Sequence, residues 1–287
     1  MELEHRFATV DGDVRLHYVE AGEGPLVVLL HGFPEFWWSW RHQIPALVAA
    51  GYRVVAPDQR GYAQSDKPAS WRDYRLERLA ADVAELIEAL GEERAFVVGH
   101  DWGAMVGWAV ATLHPERVEK LAILNVPHPD TMLRTLGRSP KQLLHSWYMF
   151  FFQIPWLPER LMGWGGGRRA LESAYRDARP GAFTPEDLAR YVEAFNGPDG
   201  FRGPIDWYRA ALRQSPRSAR ASFRPIPAPV LVIWGEKDRF LMASMADSDP
   251  RLVPDVRVVR LPEASHWVQH DEPERVNELL TSFLSGA

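Results

Sequence analysis

The chain contains no cysteine, which excludes disulfides and cysteine-ligated zinc and leaves the redox compartment unread. No apolar stretch approaches the length of a membrane span. Positive charge is not in excess either. With 33 Lys and Arg against 38 Asp and Glu the net charge is −5, which gives no reason to expect nucleic acid or an anionic membrane surface as a partner. The amino terminus, MELEHRFATV, has no apolar core of the signal-peptide kind, so a cytoplasmic protein is expected. Internal repeats and low-complexity tracts are lacking. What is present is 287 residues, 46% hydrophobic and 25% charged, an ordinary globular composition with enough chain for a large core. The 12 Trp and 13 Phe are the one oddity, and they point to an aromatic-lined cavity.

Hydrophobic patterning predicts strands alternating with helices. His5 to Val10 and Val14 to Val19 alternate around Asp11-Gly12 and read as a hairpin. Leu26 to Leu30 is a continuous apolar run, as expected of a strand buried on both faces. A helix from Trp40 to Ala50, a strand at Tyr52 to Ala56 and an amphipathic helix at Leu76 to Leu90 follow. Next come strands at Ala95 to Val98 and Lys120 to Leu124, with a helix ending at His114 between them. From about 127 to 226 no strand is legible; the stretch is helix-like, aromatic and rich in arginine. Strand character returns at Pro229 to Trp234 and Val256 to Val259, and a last helix covers Pro273 to Leu284. The pattern predicts an α/β fold with a mostly parallel sheet and helices on both faces. A helical insertion (127–226) divides it into a first core part (1–126) and a second (227–287). The insertion carries net positive charge and the remainder net negative charge. Solvated helix faces explain most of that, and seating of the insertion on the core by opposite charge is the sharper alternative.

The most informative residue is Asp101, in Gly99-His100-Asp101-Trp102-Gly103 between an apolar strand and a small-residue helix. This is the pattern of a nucleophile elbow, which forces one side chain into the open above a sheet. The usual occupant is Ser, which attacks carbonyl carbon; a carboxylate attacks saturated carbon and becomes an ester of itself. The plainer alternative is an Asp that only caps the helix after it. An ester on Asp101 must be hydrolysed by a base-activated water. Elbow hydrolases place the acid and then the His later in the chain. Asp238, after the strand ending at Trp234, fits the acid, and His266, after the strand ending at Val259, fits the base. His270 reads as a surface residue. Backbone N–H groups of Phe33 and Trp102 are expected to form the oxyanion hole. His31 and His100 sit beside the site, where packing and hydrogen bonding are expected of them.

These residues resemble the α/β-hydrolase-fold epoxide hydrolases of the soluble type, over essentially the whole chain. The resemblance is carried by HGFPEFWWSWRHQIPAL (31–47), GHDWGA (99–104), GEKD (235–238) and SHW (265–267). It implies a helical lid whose two tyrosines hydrogen-bond the epoxide oxygen. SWYMFFFQ (146–153) and DWYR (206–209) match that role with Tyr148 and Tyr208. It also implies a cis bond at Phe33-Pro34. The tyrosines make chemical sense, because an opened epoxide releases an alkoxide that needs a proton donor. Packing is the alternative for either tyrosine alone, and Tyr175 and Tyr191 read as structural. His31, Pro34, Glu35, His100, Trp147 and Phe151 are expected to line the pocket. Glu35 either helps hold the hydrolytic water or has a surface role. Ala63 replaces the second Gly of the family's G-x-G-x-S turn (60–65), and a slight local adjustment is expected.

The expected activity is opening of a small, apolar or aryl-bearing epoxide to a vicinal diol through an Asp ester, with no metal or organic cofactor. Alternatives stay open. Haloalkane dehalogenases also use an elbow Asp, often with Trp after it. They need a second halide donor that the Phe33 side chain cannot supply, although Trp147 or Trp164 could. Fluoroacetate-type dehalogenases carry Arg where this chain has Trp102. A non-catalytic ligand-binding relative is a further alternative, and oligomeric state is not readable.

Overall fold

The computed structural model describes residues 2–197, 199–215 and 223–286. Eight strands form one sheet: β1 (Glu4–Val10), β2 (Val14–Ala21), β3 (Leu26–Leu30), β4 (Arg53–Pro57), β5 (Ala95–His100), β6 (Val118–Leu124), β7 (Val230–Gly235) and β8 (Val256–Leu261). Their order is β1-β2-β4-β3-β5-β6-β7-β8. The β1–β2 and β2–β4 pairs are antiparallel and every other pair is parallel. The sheet thus begins as the expected hairpin and continues as a parallel sheet. Strands β3, β5 and β7 are buried along their whole length, as their unbroken apolar runs require.

Helices cover both faces. On one, α1 (Gln43–Ala49) packs against the closing helix; on the other, α2 (Leu76–Ala89) packs against α3 (Trp102–Leu113). The helix expected from Trp40 is shorter. Trp37–Trp40 forms a separate 3-10 turn, and α1 starts at Gln43, which puts Pro45 in the first turn. There its missing N–H leaves no intrahelical bond unmade. Ala63 does adjust locally: it takes a left-handed φ of 38°, the conformation for which the family's Gly is suited.

Between β6 and β7 the described residues contain helices and no strand. The helices are α4 (Pro129–Leu136), α5 (Pro140–His145), α6 (Trp147–Phe151), α7 (Leu157–Gly163), α8 (Arg168–Tyr175), α9 (Pro185–Ala194) and α10 (Arg202–Arg213). Residues 198 and 216–222 of the expected insertion lie outside the described residues. This cap is tied to the core by side-chain hydrogen bonds rather than by a sheet. Tyr175 Oη donates to the Pro34 carbonyl at 2.6 Å, Trp207 Nε1 to the Arg60 carbonyl at 3.0 Å, and Trp38 Nε1 to Asp187 at 2.7 Å. After β8 come α11 (Val268–Asp271) and α12 (Pro273–Ser285). No helix among the described residues is long and apolar enough to cross a membrane.

Candidate active site

Strand β5 delivers Asp101 into a sharp turn before α3. Asp101 has φ 48° and ψ −121°, a strained conformation for a residue with a side chain. Small neighbours make the turn possible. A Cβ on Gly99 would fall 2.4 Å from the Gly103 carbonyl, and one on Gly103 would fall 2.0 Å from the Leu30 carbonyl. Gly32 lies equally close on the nucleophile's own side, where a Cβ would meet the Asp101 Cβ at 2.4 Å. Only glycine at these positions lets the β3 loop, the elbow and α3 approach so nearly.

The Asp101 carboxylate has two unlike oxygens. Oδ1 accepts the backbone N–H of Phe33 at 2.7 Å, and Oδ2 faces His266 Nε2 at 3.5 Å. Phe33-Pro34 is cis. Trp102 opens α3, so its N–H belongs to the first turn, where backbone donors have no intrahelical partner. Burial alone would raise the Asp101 pKa, but His266, His100 and the Phe33 N–H outweigh it and hold it below the ordinary carboxylate value.

His266 Nδ1 lies 2.7 Å from Asp238 Oδ2. A carboxylate only accepts, so Nδ1 carries a proton, and Nε2 is the ring nitrogen that faces Asp101. The Asp238 carboxylate is fully buried and accepts four hydrogen bonds. Two come from the backbone of Phe240 and Leu241 at 2.7 and 3.0 Å, and the others from His266 and Asn125 Nδ2, both at 2.7 Å. Burial alone would lower the His266 pKa; Asp238 and Asp101 override it and hold the ring well above the ordinary histidine value. Asn125 has a left-handed φ of 52° at the end of β6 and also accepts from the Gly235 N–H at 2.8 Å. The sequence reading missed it. Nothing near it in the chain marks it, because its partners lie more than a hundred residues later.

The two cap tyrosines come together over the nucleophile. Tyr148 on α6 and Tyr208 on α10 have ring centroids 5.8 Å apart, and both line one cavity with Asp101 and Trp102. The indole ring of Trp102 meets the Tyr208 ring edge-on, with centroids 4.9 Å apart. Burial raises both phenol pKa values well above 10, so the hydroxyls stay protonated and able to donate. Beyond the tyrosines the cavity runs along one face of α3 past Met105, Ala109 and Leu113, between Leu133 and Leu136 of α4 and Leu212 of α10.

The other expected pocket residues do not line this cavity. His31 is buried; its Nε2 accepts the Gln59 N–H at 3.0 Å and its Nδ1 donates to the Gly32 carbonyl at 2.9 Å, bracing the loop before Phe33. Pro34 is covered by Tyr175. Trp147 points outward to solvent, and Phe151 makes tilted ring contacts with Trp147 and Phe152. A five-residue helix has room for only one inward face, and Tyr148 with Met149 takes it.

Glu35 and His270 are corrections. Both are fully buried, not surface residues. Glu35 accepts from His270 Nε2 at 2.7 Å and Tyr191 Oη at 3.3 Å, and its other oxygen lies 2.9 Å from His100 Nδ1. Arg41 donates to His270 Nδ1 at 2.9 Å. A guanidinium has no lone pair to offer, so this ring carries its proton on Nε2 and is neutral. Burial lowers its pKa to about 4 accordingly. Burial would raise Glu35, yet the bonds from His100 and His270 hold it well below the carboxylate range. His100 Nε2 donates to the His266 carbonyl at 2.9 Å. The network therefore ends on the backbone of the candidate base.

Comparison with known proteins agrees with this geometry. A family model described as the alpha/beta hydrolase fold matches residues 25–273. The chain is 42% identical over 281 residues to the AB hydrolase superfamily protein YfhM of Bacillus subtilis, covering 97% of each protein. It is 40% identical over 283 residues to human Epoxide hydrolase 4, covering 96% of this chain and 76% of that one. Among solved structures, Epoxide Hydrolase A from Mycobacterium thermoresistibile aligns over 99% of both chains with a TM-score of 0.84 and 35% identity. An elbow carrying Asp, an Asp–His pair at the ends of later strands and near-complete coverage by such relatives lead to one conclusion: this chain is a member of the epoxide hydrolase family of α/β-hydrolase-fold enzymes.

Proposed function

We propose that the protein hydrolyses an apolar or aryl-bearing epoxide to a vicinal diol through a covalent ester on Asp101. The observation that carries this reading is the placement of Asp101, Tyr148 and Tyr208 around one mostly apolar cavity. Asp101 Oδ2 attacks an epoxide carbon, and the carbon–oxygen bond breaks with its electron pair moving to the ring oxygen. Tyr148 and Tyr208 hydrogen-bond that oxygen and supply a proton as it becomes an alkoxide. The product of this step is a hydroxyalkyl ester.

Ester formation neutralises one of the two carboxylates that hold His266 protonated, so the ring's pKa falls. Its Nε2 proton passes by way of water to the tyrosinate left by the opening step, and Nε2 becomes an available base. His266, held by Asp238, then takes a proton from water as that water attacks the Asp101 carbonyl carbon. The negative charge gathers on Oδ1, where the Phe33 N–H already donates and the Trp102 N–H supplies a second contact. Its return breaks the bond from the Asp101 carbon to the alkyl oxygen, which takes the proton from His266 as the diol leaves. Glu35 acts at a distance, by fixing His100 beneath the His266 backbone. A dehalogenase reading has less support. Phe33 offers halide no side-chain donor, and the Trp102 indole packs edge-on against Tyr208.

Single turnover of styrene oxide in heavy-oxygen water tests the ester. The first-turnover diol is expected to carry unlabelled oxygen from Asp101, with label entering the carboxylate. Label appearing directly in that first diol would eliminate the covalent route, and absence of any diol would favour the ligand-binding alternative.

A further inference from the structure

Among the described residues, every exposed large hydrophobic side chain except Phe7 and Leu113 lies between Leu143 and Trp164, on the outside of the cap. Leu144 is 75% exposed, Trp147 62%, Phe150 53%, Trp156 64% and Trp164 72%. Leu143 lies on α5, Trp147 and Phe150 on α6, and Ile154 in the bend just after it, and all four are exposed. Trp156 is held in the left-handed region at φ 55°, an outlier for a bulky residue. Trp164 precedes three successive glycines that are all left-handed. The chain accepts local strain here with its indoles in solvent. Apolar patches of this kind mark interaction surfaces.

Charge identifies the partner. Arg138, Lys141, Arg160, Arg168 and Arg169 flank the same stretch and all are exposed. The one carboxylate within it, Glu159, is engaged by Arg209. Arg168 pairs with Glu172 at 3.6 Å, and Arg138, Lys141, Arg160 and Arg169 form no ion pair among the described residues. A two-fold interface with a second copy would set this cationic rim against itself. An anionic lipid surface would instead neutralise the rim while taking the Trp and Leu side chains into the headgroup boundary.

We propose that this face of the cap docks the protein on an anionic lipid bilayer. The net negative charge of the whole chain hides the feature, because the acidic residues lie mainly on the core. Docking would also place the bilayer against the outer side of α6, the helix whose inner side carries Tyr148 and Met149.

Cosedimentation with phosphatidylcholine vesicles, with and without phosphatidylglycerol, tests this. The full chain is expected to bind the anionic vesicles at low salt, and more weakly at high salt or on neutral vesicles. A Trp156→Ser, Trp164→Ser variant should lose at least about tenfold in binding. An Arg160→Gln, Arg169→Gln variant should lose roughly fivefold per charge, on anionic vesicles only. Both variants should turn over styrene oxide in vesicle-free buffer as the parent does, which shows that they are folded. Failure of the parent chain to bind anionic vesicles would overturn the proposal. So would binding that neither variant weakens, or a dimer in sedimentation that the tryptophan variant dissolves.

Discussion

In the core, Asp101, Asp238 and His266 follow the ends of β5, β7 and β8, and each is fixed by backbone donors or fully buried partners. In the cap, Tyr148 sits on a five-residue helix with two exposed aromatic neighbours, and ring contacts with Phe152, Tyr208 and Phe240 hold it. Tyr208 is intermediate: its helix is longer and is pinned to the core through Trp207. The groups that must share an oxyanion and a proton to within a fraction of an ångström are thus built on the sheet. The groups that must meet a substrate of variable shape are on a segment joined to the core by side-chain hydrogen bonds and ion pairs rather than by strand pairing. Rigid elements suit the first task because a misplacement of one ångström can cost orders of magnitude in rate.

The largest effect is expected from removing the cap's chemistry. Replacing both tyrosines, Tyr148→Phe with Tyr208→Phe, should lower epoxide turnover by at least about three orders of magnitude. Rapid-quench analysis should then find no ester on Asp101; full activity would mean that the core alone serves the leaving oxygen. The next effect concerns pH and belongs to the core. Asp101 lies below the ordinary carboxylate value, so ester formation should be flat from about pH 5 to 8. Ester hydrolysis needs neutral His266, so its rate should rise with pH. Stopped-flow tryptophan fluorescence separates the two phases, and a pH-independent second phase would break the assignment of His266 as base. The smallest effect tests the joint between the regions. Tyr175→Phe leaves the Pro34 carbonyl without its donor and should destabilise the protein by about 1–2 kcal/mol in thermal or urea unfolding. An unchanged midpoint would show that this bond contributes nothing to seating the cap.

Much of the core was legible because its signals are local. Strand β3 is an unbroken apolar run, and the elbow is a strand, a small-residue turn and a helix in immediate succession. The order of nucleophile, acid and base could be read from residue types at strand ends. The failures at His270 and Asn125 are long-range. His270 looked like a surface residue because it approaches a terminal helix, yet it is neutral and buried against Glu35, 235 residues earlier. Asn125 carried no motif, and only the parallel pairing of β6 and β7 brings it to Asp238. Trp147 read as a pocket residue beside Tyr148, but successive residues on a helix face different ways.

The sequence alone suggested the bond chemistry we propose, because a carboxylate at an elbow suits attack at saturated carbon and a phenol suits donation to a leaving oxygen. It also indicated a mostly parallel sheet and a helical insertion through periodicity, whereas the strand order came from the structure. Tertiary structure alone decided which of the many aromatic residues face the cavity and which face solvent. It decided that Glu35 is an ionised buried carboxylate, and that Asp238 accepts a bond from Asn125. Periodicity reports on neighbours a few residues apart, whereas burial and protonation depend on groups that only the folded chain brings within hydrogen-bond distance.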